Sequence, residues 1–170
     1  MKLYDLWPTR VVNVDVPLDL CTKIYSQHIN VQSKDYEEVL DDNDKRTLLE
    51  YVNRYYLAEY DICDGWIRTL TSKGHNNFEL HCDSHYGNQL VGVLQLFGDE
   101  DRGGDIKLYD PAWRNPQWMS DTKNKNSNTF VVPFKAGQFI IFPANVWHSV
   151  ETYYGESNRV TLNLMFRRIT

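Results

Sequence analysis

The residues of this chain with the most to offer chemically are His81, Asp83 and His148, with Arg159 and Thr161 following near the C-terminus. In an extended chain, residues two apart project from one face. His81 and Asp83, in the run ELHCD, can therefore offer an imidazole and a carboxylate to a single ion, with Cys82 turned the other way. A lone His-x-Asp arises readily by chance, so the pair needs a third member. His148 ends the apolar run GQFIIFPANVWH, which would deliver a polar group to the mouth of a hydrophobic barrel; the alternative is a hydrogen-bonded core histidine. Two imidazoles and one carboxylate on one face of an octahedral metal leave three positions open, which suits non-haem iron(II) and its reactions with dioxygen.

The last apolar segment adds a second kind of group. Val160, Leu162, Leu164 and Phe166 form one face of it, and Arg159, Thr161, Asn163 and Met165 the other. Arg159 presents a planar, permanently charged fork suited to bidentate binding of a carboxylate, and the Thr161 hydroxyl can donate a further hydrogen bond. Together they fit the far end of a dicarboxylic acid. On its own, Arg159 would equally pair with Glu151 or Glu156 beside the turn Gly155-Glu156-Ser157-Asn158. His85 lies two residues beyond Asp83 and competes with it only if the strand continues; His75 and His28 have no partner at ligand spacing and read as surface residues. Tyr109, Trp113, Trp118 and Trp147 are candidates for the walls of a substrate pocket, with barrel packing as the alternative. Gly103-Gly104 suits a bulge or a close backbone approach at a strand entry.

These groups need a scaffold that carries them to one point. Short runs of alternating or continuous β-branched and aromatic residues predict eight strands: 66–71, 78–83, 90–97, 105–109, 129–133, 138–142, 148–153 and 159–167. Eight short strands suggest a jelly roll. Helical spacing appears earlier, after Pro17 and from about 34 to 59, so residues 1–64 are expected to be a helical support for a β core over 65–170, all in one domain. The fold class expected is mainly β with N-terminal helices. Residues 110–128, DPAWRNPQWMSDTKNKNSN, are longer than most connections and suit a lid.

Composition narrows the classes. With 42% hydrophobic and 24% charged residues the chain is neither disordered nor fibrous. A net charge of −5 with scattered lysines and arginines gives no footprint for clamping a nucleic-acid backbone. Cys21, Cys63 and Cys82 are odd in number and lack zinc-ribbon spacing, which argues against a disulfide framework and for a reducing compartment. No stretch has the length of a signal peptide core or a membrane span, so a cytoplasmic protein without membrane partners is expected.

In order along the chain stand His-x-Asp, a Gly-Gly strand entry, a histidine, and Arg-x-Thr eleven residues after it. With HCD at 81–83, GGDIKLYDP at 103–111 and FPANVWHSV at 142–150, the chain resembles the Fe(II)/2-oxoglutarate dioxygenase superfamily, in particular its short prolyl-4-hydroxylase-like members, over about Trp66 to Arg168. The resemblance implies a double-stranded β-helix (a cupin-like jelly roll) in which His81, Asp83 and His148 hold Fe(II). It also implies that Arg159 and Thr161 anchor the distal carboxylate of 2-oxoglutarate, and that dioxygen is consumed with release of succinate and carbon dioxide. Ascorbate would be a stimulant. Prolyl-4-hydroxylase-type members often use lysine as the anchor, whereas this chain has Arg159. The expected activity is hydroxylation of a protein or peptide side chain. A free amino acid or small metabolite as substrate, and a metal-binding jelly-roll module without turnover, stay open beside it.

Overall fold

The alternation of Arg159, Thr161, Asn163 and Met165 with Val160, Leu162, Leu164 and Phe166 gives that segment two unlike faces, and both are used. In the computed structural model, which describes residues 2–6, 9–71, 78–84, 89–109 and 129–169, it is the central strand Arg159–Arg168. The elements in chain order are β1 (Lys2–Leu6), β2 (Thr9–Asp15), α1 (Leu18–Val31), α2 (Tyr36–Val39), α3 (Asp42–Tyr56), β3 (Tyr60–Leu70), β4 (Phe78–His81), β5 (Leu90–Phe97), β6 (Ile106–Tyr109), β7 (Thr129–Val132), β8 (Gln138–Pro143), β9 (Trp147–Val150) and β10 (Arg159–Arg168). They build a major sheet, β1-β2-β8-β5-β10-β3, and a minor sheet, β4-β9-β6-β7. The strand pairings are antiparallel throughout, as a jelly-roll core requires.

The major sheet is covered on both faces. One face meets the helices through a cluster that includes Ile24, Leu48, Val52, Leu94, Phe139, Leu162 and Phe166. The other faces the minor sheet through Val91, Val93, Ile106, Leu108, Ile140, Phe142 and Met165. Burial on both sides explains why β5 and β8 read as nearly continuous apolar runs where a half-exposed strand would alternate. Gly92 on β5 belongs to this packing, because a Cβ there would stand 2.6 Å from the Phe139 ring and 2.8 Å from that of Phe166.

The N-terminal third differs from expectation. It is not only helical support: β1 and β2 occupy Lys2–Leu6 and Thr9–Asp15, and β2 joins the major sheet by pairing with β8, Val12 opposite Ile141. The cause is the β-branched run Val11, Val12, Val14 and Val16, all buried. The long helix expected over 34–59 is interrupted at Leu40, whose backbone is extended, and restarts at Asp41. There a capping box forms: the Asp41 carboxylate accepts from the Asn43 and Asp44 amides at 2.9 and 2.8 Å, and Asp44 accepts in return from the Asp41 amide. β3 begins at Tyr60, six residues before the expected start; it is the edge of the major sheet, where the polar residues of YDICD can meet solvent. The segment expected to form a lid, 110–128, lies outside the described residues. No helix among the described residues is long and apolar enough to cross a membrane.

Leu162 tests the two-faced strand. It is fully buried under the helices, so Leu162→Ala is expected to lower the unfolding free energy by about 2–5 kcal/mol in urea titrations. A loss under about 1 kcal/mol would mean that this face does not carry the core.

Candidate active site

β4 and β9 pair with His81 directly opposite His148. Opposed residues of an antiparallel ladder share a face, so both imidazoles enter the space between the sheets, ring centroids 4.1 Å apart. The strand ends at His81, and Asp83 does not continue it. Its backbone amide donates instead to the Ala144 carbonyl at 3.0 Å, which ties the turn to the segment joining β8 and β9. The carboxylate still reaches the same point, with Oδ1 3.9 Å from His81 Nε2 and Oδ2 3.5 Å from His148 Nε2. One potential ligand atom from each of the three residues lies within 4.8 Å of the others, the one such cluster found among the described residues.

The hydrogen bonds on the far sides of the rings decide which nitrogens face inward. His81 Nδ1 lies 2.8 Å from the Glu79 carbonyl and His148 Nδ1 lies 3.1 Å from the Val146 carbonyl. A carbonyl only accepts, so each Nδ1 carries a proton and Nε2 is the nitrogen of each ring that faces Asp83, the orientation a metal requires. Burial, and next the charge of His81, pushes His148 down to about 4, so it is neutral at pH 7 and binds an ion without first losing a proton. Two imidazoles and a carboxylate are a donor set that fits a divalent transition ion. Cis ligands at about 2.1 Å from one ion stand ~3 Å apart, so the 3.9 and 3.5 Å separations of the Asp83 oxygens from the two Nε2 atoms would each shorten by roughly 0.5–1 Å around a shared ion.

The other pole of the space is Arg159, which is 1% exposed, and its Nε and Nη2 have no hydrogen-bond partner. Its guanidinium sits over the Phe134 ring, 4.9 Å from the centroid. Burial, and then the charge of Arg68, lowers Arg159 to about 10, which still leaves it charged at pH 7. The alternative of a surface ion pair does not occur: Glu151 is engaged by Lys107, and Arg159 is not at the surface. A buried charge with open donors is costly unless an anion meets it, so this group is aimed at a ligand. Thr161, also 1% exposed, stands one inward-facing step along β10. Gly104 makes room for the arginine: its φ is +77°, and a Cβ there would lie 2.6 Å from Arg159 Cδ.

His81, Asp83, His148, Arg159 and Thr161 line one narrow cavity of ≈30 Å³. Its walls also include Trp66 and Arg68, together with Asn163, which the alternation of β10 puts on the Arg159 face without giving it a role. Trp66 and Arg68 alternate along β3, and the ladder with β10 sets Arg68 opposite Thr161 and Trp66 opposite Asn163. Their shared period is visible in the sequence, whereas the pairing of β3 with the last strand is not.

Tyr109 stands apart from this cavity. Ile106 and Leu108 of β6 turn inward, and Tyr109 turns to an open groove on the outer side of the minor sheet, its hydroxyl 3.1 Å from that of Ser149. It is therefore not a wall of the metal-side pocket. Trp147, 46% exposed, is not among the cavity walls either; it flanks His148 on β9 from the opposite face. Trp113, Trp118, His75 and His85 lie outside the described residues. His28, near the end of α1, is held by the Ser33 carbonyl at 2.7 Å.

The buried state of His148 makes the metal-free protein sensitive to acid. Its folded pKa, about 4, lies below the ordinary 6.5, so between these values the unfolded chain binds the extra proton. Stability is expected to hold above about pH 6.5 and to fall by roughly 1–3 kcal/mol as the pH drops toward 4. Urea titrations of the metal-free protein across this range should show a shallower fall for His148→Gln; identical slopes would show that His148 is not held neutral.

Similarity to known proteins agrees with this geometry. The family model for 2OG-Fe(II) oxygenases matches residues 64–164. Among solved structures, a 2OG-Fe(II) oxygenase family oxidoreductase from Burkholderia pseudomallei aligns with a TM-score of 0.52 and 19% identity, over 76% of this chain and 53% of that one. The chain thus spans about half the length of that protein. A prolyl-4-hydroxylase from Pseudomonas putida aligns with a TM-score of 0.63 and 16% identity, over 96% of this chain and 88% of that one. The non-heme alpha-ketoglutarate-dependent epimerase SnoN of nogalamycin biosynthesis aligns with a TM-score of 0.68 and 12% identity, over 92% of this chain and 75% of that one. No curated protein matches the chain. At these identities the structural likeness establishes the fold, and the family match extends from β3 into β10; the chain belongs to the 2OG-Fe(II) oxygenase family.

Proposed function

We propose that this protein is an Fe(II)- and 2-oxoglutarate-dependent oxygenase in which His81, Asp83 and His148 hold the ion and Arg159, aided by Thr161, holds the cosubstrate. The observation that carries the reading is the buried Arg159 guanidinium, whose Nε and Nη2 lack partners and which shares one cavity with the three ligand candidates. A plain metal-binding jelly roll has no use for it.

Held by His81, Asp83 and His148, the ion would supply the oxidative chemistry, in which dioxygen and 2-oxoglutarate would give succinate and carbon dioxide and the second oxygen atom would enter a C–H bond of the substrate. The chain's own part is positioning. The two Nδ1 hydrogen bonds hold the imidazoles in one tautomer. Phe134 supports the flat face of Arg159, so its donors stay aimed into the cavity. The Thr161 hydroxyl can donate to the same carboxylate. Val91, Val93, Ile106 and Met165 make an apolar wall that keeps water from the reacting groups and strengthens every charge interaction inside.

The finer reading is hydroxylation of a group the size of an amino-acid side chain, on a peptide or in a free small molecule. The fold likeness to a prolyl-4-hydroxylase supports the first, and that to an epimerase of a biosynthetic route the second.

The test needs no substrate. Apoprotein loaded anaerobically with Fe(II) should develop a weak visible charge-transfer band on addition of 2-oxoglutarate, and His148→Ala should abolish it. Arg159→Ala should keep Fe(II) binding but weaken 2-oxoglutarate binding by at least ~30-fold, the loss expected on truncating one side of a buried charge pair. Fe(II) binding with no band would leave a metal-binding module without cosubstrate.

A further inference from the structure

The ladder between β6 and β7 runs as far as Ile106 opposite Val132. The next residues in that register are Asp105 and Pro133, and proline has no N–H to give, so no backbone donor is available there from the β7 side. A side chain takes over: the Asp105 carboxylate accepts from the Phe134 amide at 3.0 Å. One residue on, the Lys135 amide donates to Gln95 Oε1 at 3.0 Å, and Gln95 belongs to β5 of the major sheet. The chain at Phe134, a residue only 3% exposed, is thus fastened on both flanks, once to each sheet.

What Phe134 does there is carry Arg159. The guanidinium lies 4.9 Å from the ring centroid. Gly98 lets ring and strand come together, since a Cβ there would stand 2.9 Å from the Phe134 ring and 3.2 Å from Arg159 Cα. Asp105 also directly follows Gly104, whose missing side chain leaves room for the Arg159 stem, and its own backbone carbonyl accepts from the Glu151 amide at 2.9 Å. Burial and the charge of Arg68 lower Arg159, and the charge of Asp105 opposes them. Yet Asp105 takes neither Nε nor Nη2 of the arginine, and it is not among the residues that line the cavity. A resident carboxylate on those donors would compete with that of a ligand; this one leaves them open.

We propose that Asp105 is a positioning residue for the dicarboxylate cosubstrate: by holding the Phe134 backbone it fixes the aromatic face on which the Arg159 guanidinium lies, without touching the ligand. This rests on the oxygenase reading above. Asp105 has two effects of opposite sign. Its hydrogen bond favours cosubstrate binding, because an arginine fork held in one orientation loses less freedom on meeting a carboxylate. Its charge disfavours binding, because a second carboxylate near the same guanidinium repels the first. Asparagine keeps the acceptor and drops the charge, whereas alanine drops both, so the two variants separate the effects.

The test uses the full chain loaded with Mn(II), which is paramagnetic and does not turn over. Dissociation constants are measured by titration, following water-proton relaxation, for 2-oxoglutarate and for oxalate, which chelates the ion but has no arm to reach Arg159. Asp105→Asn is expected to bind 2-oxoglutarate at least as tightly as the native protein, and Asp105→Ala about 5-fold more weakly than Asp105→Asn, the loss of one hydrogen bond. Oxalate affinity should stay within about 2-fold in both variants. Phe134→Leu, which keeps the amide and removes the ring, should weaken 2-oxoglutarate binding to a similar extent and spare oxalate. Equal 2-oxoglutarate affinity in the asparagine and alanine variants would overturn the proposal, since the hydrogen bond would then set nothing. So would a parallel loss of oxalate affinity, which a general loosening of the site would cause. If Asp105→Ala does not fold, the other two variants decide. Binding of 2-oxoglutarate weakened in Phe134→Leu and kept in Asp105→Asn supports the proposal; binding kept in the first, or weakened in the second, overturns it. A native protein that binds Mn(II) but no 2-oxoglutarate would refute the oxygenase reading itself, before any variant is compared.

Discussion

A strand has two faces, and in β10 neither is free to change for the sake of the other. Val160, Leu162, Leu164 and Phe166 hold the major sheet against the helices, while Arg159, Thr161, Asn163 and Met165 form one wall of the cavity. The period of two couples them: slipping β10 by one residue would drive a guanidinium into the helical core and a valine into the site. The strand is locked on both sides, by β3 and by β5. A buried, charged Arg159 is tolerable only in such a frame, because a looser strand would let it rotate out to water.

The minor sheet meets the opposite requirement. Its strands β4 and β9 are four residues each, and they carry one imidazole apiece to a shared point. Short strands limit how many polar groups must be buried, and the remaining ladder positions of β6 are filled inward by Ile106 and Leu108. The third ligand candidate arrives by another route. Asp83 lies past the end of β4, where its backbone amide is tied to Ala144 in the β8–β9 connection. The cluster therefore draws two members from opposed ladder positions and one from a turn tied to the neighbouring connection.

Much of this is legible in the sequence, because the relevant signals are local. The eight strands from Trp66 onward appear with their boundaries shifted by a few residues at most, apart from the early start of β3, because alternation and β-branching are properties of single segments. The inward set of β10 follows from its alternation alone, and the residue types of His81 and His148 mark them without any knowledge of their neighbours. Gly103 and Gly104 read as a close approach, and Gly104 indeed lies against Arg159 with a positive φ. What the sequence hides is non-local. β1 and β2 are stabilised as strands by pairing with each other and with β8, more than a hundred residues away, and the prolines around them mask their pattern. Tyr109 belongs to the expected strand but to its other face, since membership of a strand does not say which side meets the cavity until its neighbours are known. Trp66 and Arg68 become site residues only through the pairing of β3 with β10.

The edge position of β3 bears on how such a site can change its substrate. The ligand candidates sit on β4, on β9 and in the turn after β4, and Arg159 on a central strand, where ladder partners flank it on both sides. β3 is an edge strand with one ladder neighbour, so a residue on its inward face can be exchanged without unseating the three ligand candidates or Arg159. Arg68 and Trp66 occupy such positions.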